Sequence, residues 1–158
     1  MLVNDTRRGF TLTELLVVVA IAGLLLAMAG PALYGMVVRQ RVIASAHAFF
    51  HGAAVTRADA IRQGRPVIMR PLQGDDWASG WRIGDDPARS LSHPALPPGI
   101  TVDYVAGGQV LGYRATGQPM VRGRWRFTHG DTSRVVVINF LGRVRMCDPA
   151  AESSCASG

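Results

Sequence analysis

The sequence predicts an α+β protein: a long N-terminal helix, its first half suited to a membrane, packed on a small antiparallel β-sheet or sandwich. Three observations predict it. From Leu15 to Val38 the chain carries no Asp, Glu, Lys, Arg or His, and a bilayer-spanning helix takes about 20 such residues. Apolar side chains then recur every three or four positions as far as Ile61, which is the period of a helix. Beyond Gly64 the period falls to two, in short β-branched and aromatic runs separated by Gly, Pro and Asp.

The elements follow in order. Residues 1–9 form a leader ending in Arg7, Arg8 and Gly9, and the apolar run begins after it. That run is too long for a secretory signal, whose apolar core is about 7–15 residues, and no small-x-small site interrupts it convincingly. Residues 10–38 are expected as a membrane helix, loosened at Pro31, whose ring removes one internal hydrogen bond. Glu14 is the odd residue at its edge, because a carboxylate carried to the bilayer centre costs about 2.5–3.5 kcal/mol unless something compensates it. Residues 39–63 continue as an amphipathic helix with Ile43, Ala46, Phe50, Ala54, Ala58 and Ile61 on its apolar stripe and Arg41, Arg57, Asp59 and Arg62 off it. Phe10 to Gln63 would be a rod of roughly 80 Å at 1.5 Å per residue, stopped by Gly64 and Pro66.

Residues 64–146 are expected to form the β domain. The runs "RPVIMRPL", "GWRIGD", "ITVDYV", "QVLGYRA", "GRWRFTH" and "SRVVVINF", with "GRVRMC" as a further short strand or an extension, make six or seven strands. Gly74 to Leu96 reads as a loop region broken only by the strand around Trp81. Residues 147–158 form a Ser/Ala-rich tail. Its two cysteines, Cys147 and Cys155, are the only ones in the chain. Their spacing is not that of a zinc site, and in an oxidising compartment beyond a membrane segment they read as a disulfide holding the tail to the last strand.

The chain has 158 residues; removing the apolar run leaves roughly 120, enough for one small domain with its own core. The formal charge is +6, and all 17 basic residues are Arg. From Val110 onward there are seven Arg (114, 122, 124, 126, 134, 143 and 145) against three acids, Asp131, Asp148 and Glu152. Arg is the side chain suited to bidentate contacts with phosphate or carboxylate. No G-x-S-x-G, P-loop or spaced glycine fingerprint is present, so neither an enzyme nor a cofactor is expected.

Gly9-Phe10-Thr11-Leu12-Thr13-Glu14, followed by the apolar run, resembles the class III signal of type IV pilins and type II secretion pseudopilins. The resemblance implies cleavage after Gly9 by a prepilin peptidase and N-methylation of Phe10. It also implies that Glu14 pairs with the cationic N-terminal amine of a neighbouring subunit, neutralising its charge in the filament core. "TRADAIRQGRPVIM", "DDWASGWRIGDD" and "VVVINFLGRVRMC" narrow the likeness to FimT/GspH minor pilins and pseudopilins. The location implied is the bacterial inner membrane, by a single pass, with a periplasmic domain carried into a pilus at the cell surface. The partners implied are other major and minor pilins, and the domain beyond the anchor is expected to be monomeric.

The remaining candidates each have two readings. His47 and His51, one helical turn apart, have metal-ligand spacing but no third ligand, and read as solvated or packed histidines. Asp75-Asp76 and Asp85-Asp86 suit calcium or, more simply, turns. Trp77 and Trp81 read as sheet-packing residues rather than a ligand platform. In Gly142-Arg143-Val144-Arg145 the two arginines are two apart, so an extended chain projects both from one face while Val144 and Met146 face the core. Gly142 permits a turn or bulge there. Arg122, Arg124 and Arg126 form a second same-face row, and Arg134 adds to either. These arginines are an ordinary solvated strand face, an edge guarded by charge, or a phosphate-binding edge. The resemblance favours the last: a C-terminal G-R-x-R is the DNA contact of FimT-type pilins that act in natural transformation, and it is matched at Gly142, Arg143 and Arg145. The function implied is capture of double-stranded DNA without sequence preference. The alternative is a structural minor pilin or GspH-like pseudopilin acting in filament priming or tip assembly.

Overall fold

The computed structural model describes residues 10–86, 89–105, 109–152 and 155, with backbone only at residues 28, 29, 31 and 32. The expected leader 1–9, with Gly9, lies outside the described residues, as does the side chain of Pro31. Helix α1 (Leu12–Gln63) opens on a reciprocal cap. The Thr11 N–H donates to Glu14 Oε2 at 2.9 Å, and the Glu14 N–H donates back to Thr11 Oγ1 at 3.3 Å. This is the T-x-x-E capping box, which satisfies helix-start donors that have no partner within the helix.

The chain divides into two compact units, Met1–Val37 and Val38–Gly158. In the first, the described helical side chains from Leu15 onward are apolar and exposed, Leu24 and Leu26 among them. The span expected over 10–38 includes side chains outside the described residues; among the described residues no helix is long and apolar enough to cross a membrane.

In the second unit, β1 (Val67–Gln73), β2 (Asp76–Ile83), β3 (Leu91–His93), β4 (Thr101–Val105), β5 (Leu111–Tyr113), β6 (Gly123–His129), β7 (Thr132–Ile138) and β8 (Val144–Cys147) follow the helix. They form two four-stranded antiparallel sheets, ordered β3-β2-β1-β5 and β4-β6-β7-β8. Eight strands replace the six or seven expected. Within Gly74–Leu96 the strand expected around Trp81 is β2, started by a tight turn in which Asp76 Oδ1 accepts the Ala78 N–H at 2.8 Å, and β3 is the unexpected strand.

The helix packs through a different stripe from the one that apolar counting picks out. Val38, Val42, Ser45, Ala46, Phe49, Ala53, Thr56 and Ala60 are buried, whereas Ala54, Ala58 and Ile61 are exposed. Only Ala46 is common to both. The difference comes from the polar members, which satisfy themselves within the helix: Thr56 Oγ1 donates to the Gly52 carbonyl at 2.7 Å and Ser45 Oγ to that of Arg41 at 2.9 Å. With their hydroxyls bonded, both sit in the core at little cost. Gly52 completes this face, since a Cβ there would lie 2.9 Å from Trp81 Nε1.

Phe49 is the centre of the core. Its ring meets Trp77 and Trp81 of the first sheet at centroid distances of 5.1 and 5.5 Å, and Trp125 and Phe127 of the second at 5.2 and 5.5 Å. All four contacts are edge-on or tilted, two at each sheet, the arrangement that aromatic quadrupoles favour over face-to-face stacking. Trp77 and Trp81 are therefore packing residues. Phe49→Ala is expected to cost about 3–5 kcal/mol, read as an earlier denaturant midpoint with near-ultraviolet circular dichroism of the tryptophans lost first.

Candidate nucleic-acid interface

The Gly142–Arg145 stretch leaves β7 through a turn that Asn139 organises. Asn139 Oδ1 accepts the N–H groups of Leu141 at 3.0 Å and Arg143 at 2.9 Å. Its backbone carbonyl accepts the Gly142 N–H at 2.9 Å, and its own N–H donates to the Arg143 carbonyl at 3.1 Å. Gly142 has φ of +76°, and a Cβ there would lie 2.5 Å from the Gly117 carbonyl oxygen. Only glycine fits both the left-handed backbone and the approach.

Arg57, from the helix, joins this turn to the one at Gly117 that follows β5. Its Nε donates to the Gly117 carbonyl at 2.9 Å and its Nη2 to the Leu141 carbonyl at 3.3 Å. Tyr113 lies beneath, fully buried, with its hydroxyl lacking a partner among the described residues. Burial pushes the phenol up to about 12, against the opposing pull of the Arg57 guanidinium.

The pairing of the second sheet decides which arginines share a face. Trp125, Phe127, Val136 and Ile138 point into the core, so the residues alternating with them point outward. Val105, Arg124, Val137 and Arg145 are in register as one row across the four strands, and Asp103, Arg126, Val135 and Cys147 as the next. Arg124 and Arg145 thus flank Val137, about 10 Å apart at two strand spacings. Arg143 is exposed immediately before β8, and β8 is an edge strand. Val144 and Met146 pack against the core, as the alternation predicts.

Two candidates stand elsewhere. Arg122 is exposed in the connection ahead of β6, so the expected three-arginine row becomes Arg124 and Arg126. Arg134 pairs across the sheet with core-facing Phe127 and is only 17% exposed at its side chain. Its Nη1 lies 2.8 Å from Asp148 Oδ2 and 2.7 Å from the Ser133 carbonyl. It binds the tail to the sheet. By contrast, Arg145 Nη1 is 3.9 Å from Glu152 Oε2 with both side chains half exposed, a pairing that contributes little and that an anion readily displaces. Cys147 and Cys155 are joined, their Cα atoms 6.0 Å apart, and they cover Val135 on the outer face. No acid occurs between Asp131 and Asp148, so the whole β7–β8 edge is cationic in sequence.

The other candidates take structural places. Asp75 accepts Gln109 Nε2 at 2.5 Å, Asp76 caps its turn, Asp85 pairs with Arg70, and Asp86 lies 4.0 Å from Arg89. His47 and His51 are exposed. Among the described residues no group of three or more His, Cys, Asp or Glu is placed to hold a metal. Sequence reasoning missed Asn139 and Arg57. An Asn three residues before a Gly is a readable turn signal, but Arg57 meets partners 60 and 84 residues away and leaves none.

Residues 45–142 match a protein family described as type II transport protein GspH, and residues 4–30 match the prokaryotic N-terminal methylation motif. The type IV minor pilin FimU of Pseudomonas aeruginosa superposes with a TM-score of 0.62 at 20% identity, over 71% of this chain and 92% of its own. The minor pseudopilin EpsH from the type II secretion system of Vibrio cholerae superposes with a TM-score of 0.54 at 16% identity, over 69% of this chain and 98% of its own. These likenesses show a shared fold, a long N-terminal helix on antiparallel sheets. No curated protein sequence matches the chain.

Gly142→Ala combines a left-handed backbone with a clash, and an expected loss of about 1–3 kcal/mol is checked by urea unfolding. Arg134→Gln leaves Asp148 without its partner and costs about 1–2 kcal/mol in the same measurement. The Tyr113 hydroxyl, raised above the ordinary phenol value of about 10, stabilises the fold fully below pH 10. That contribution is lost as pH climbs through about 12. In a tyrosinate absorbance titration, Tyr113→Phe removes the last component to ionise.

Proposed function

We propose a function from one premise: the chain belongs to the type II transport protein GspH family. It is a minor pilin or pseudopilin of the GspH type. In our reading it is a type IV minor pilin whose β domain binds double-stranded DNA without sequence preference, for uptake in natural transformation. The observation that carries this reading is the pair Arg143 and Arg145 on a cationic edge whose turn is fixed by Asn139, Gly142 and Arg57. Arg124 and Arg126 extend the charge across the same outer face. A preformed row of guanidinium groups meets phosphate oxygens without first ordering a loop, so little binding energy goes into conformational entropy. Non-specific contacts of this kind have affinities of about 10⁻⁴–10⁻⁶ M at physiological salt, and several subunits on one duplex would raise the effective affinity.

Anchoring belongs to the same reading. A prepilin peptidase cleaves after Gly9, Phe10 is methylated, and the apolar helix from residue 10 sits in the inner membrane before entering the filament. The methylation-motif match over residues 4–30 supports this. Once the new N-terminus is free, Glu14 exchanges its local bond to Thr11 for the amine of a neighbouring pilin.

The family match itself favours a second reading, a pseudopilin that helps to assemble a secretion filament and meets acidic faces of other pilins through the same arginines. Titration against a fluorescent duplex at several salt concentrations separates the two. The first reading expects saturable binding whose salt slope falls by about one for Arg143→Gln and again for Arg145→Gln, with Arg134→Gln unchanged once corrected for folding. Absence of binding at low salt leaves the secretion reading.

A further inference from the structure

Phe140 has no structural employment in the domain. Its side chain is 69% exposed at the tip of the β7–β8 turn. Every other Phe, Tyr and Trp between Val38 and Gly158 is buried or half-buried. Its backbone is nevertheless held firmly. Asn139 on one side closes the turn through Leu141, Gly142 and Arg143, and Arg57 ties the Leu141 carbonyl to the helix. A rigid turn that thrusts one aromatic ring into water, three residues ahead of one exposed arginine and five ahead of another, is a stacking platform beside a phosphate clamp.

We propose that Phe140 stacks on an unpaired nucleobase, so that single strands and open duplex ends are held more tightly than closed duplex. This rests on the nucleic-acid reading of Arg143 and Arg145. The bases inside a duplex already stack on each other and offer no face, whereas every unpaired base presents a π-face to an aromatic side chain. A protein partner fits less well. A specific protein interface covers about 800 Å² on each side around an apolar centre. Along the chain only Leu141 and Gly142 separate the ring from Arg143, so the apolar surface of the turn itself is small. The turn's rigidity matters because the ring is presented before binding, with no loop left to order.

The test uses the whole 158-residue chain in a neutral detergent. Two probes are a single strand bearing one 2-aminopurine and the same strand closed into a blunt duplex with the 2-aminopurine internal. The proposal expects the parent to quench the single-strand probe and Phe140→Ala to weaken single-strand binding about tenfold. Duplex binding and thermal unfolding stay unchanged, and Phe140→Trp restores the quench. If Phe140→Ala binds both probes like the parent while Arg143→Gln and Arg145→Gln weaken both, stacking is overturned and the phosphate clamp stands. A parent that binds neither probe overturns the clamp and the stacking together. Unchanged strand binding with loss of co-purifying pilin subunits in Phe140→Ala makes the residue a subunit contact and overturns the proposal.

Discussion

Phe49 touches two tryptophans of one sheet and a tryptophan and a phenylalanine of the other, all with centroids between 5.1 and 5.5 Å. The two sheets hold separate sets of strands, so each needs the helix to cover its apolar face. Small neighbours on the same stripe, Ala46, Gly52 and Ala53, let the helix come close enough for one ring to reach both. Replacing any of them with a larger residue would separate the layers before it affected the surface.

From this core the chemistry of the exposed edge follows. Once the helix is seated by Phe49, Arg57, two turns further along, reaches the carbonyls of Gly117 and Leu141. That clamp brings together two turns from different sheets, and Gly142 fits between them because it has no side chain. The arginines beyond it inherit a fixed position: the Arg143 backbone bonds Asn139, and the Arg145 side chain keeps only a loose ion pair with Glu152. Division of labour among the basic residues is the result: Arg57 and Arg134 hold the fold, while Arg143 and Arg145 face solvent.

Much of this was legible in the sequence. The signal around Glu14, the helix end at Gly64, the strand periods after it and the cysteine pairing could all be read from local pattern, and local physics decides them. β3 could not, since Leu91–His93 becomes a strand only by pairing with β2. The helix stripe was misplaced because Ser45 and Thr56 look polar until their hydroxyls are seen to bond backward along the helix. At the site, alternation correctly placed Val144 inward and Arg145 outward. Arg134 was misjudged because its partner, Asp148, lies in the tail that the disulfide folds back, and Phe140 was passed over because one exposed apolar residue in a sequence carries no signal until the turn beneath it is seen to be rigid.

In the proposed function, exposed Arg143 and the loosely paired Arg145 of the β8 edge, and not the tightly bonded Arg57 and Arg134, meet the nucleic-acid backbone. The most direct measurement follows the arginine Nε–H resonances of isotopically labelled protein as a DNA duplex is added. The account predicts that Arg143 and Arg145 shift first and furthest, with Arg124 and Arg126 following, while Arg57 and Arg134 stay where they are. Shifts led by Arg57 or Arg134, or no arginine shift at all under excess DNA, would contradict it.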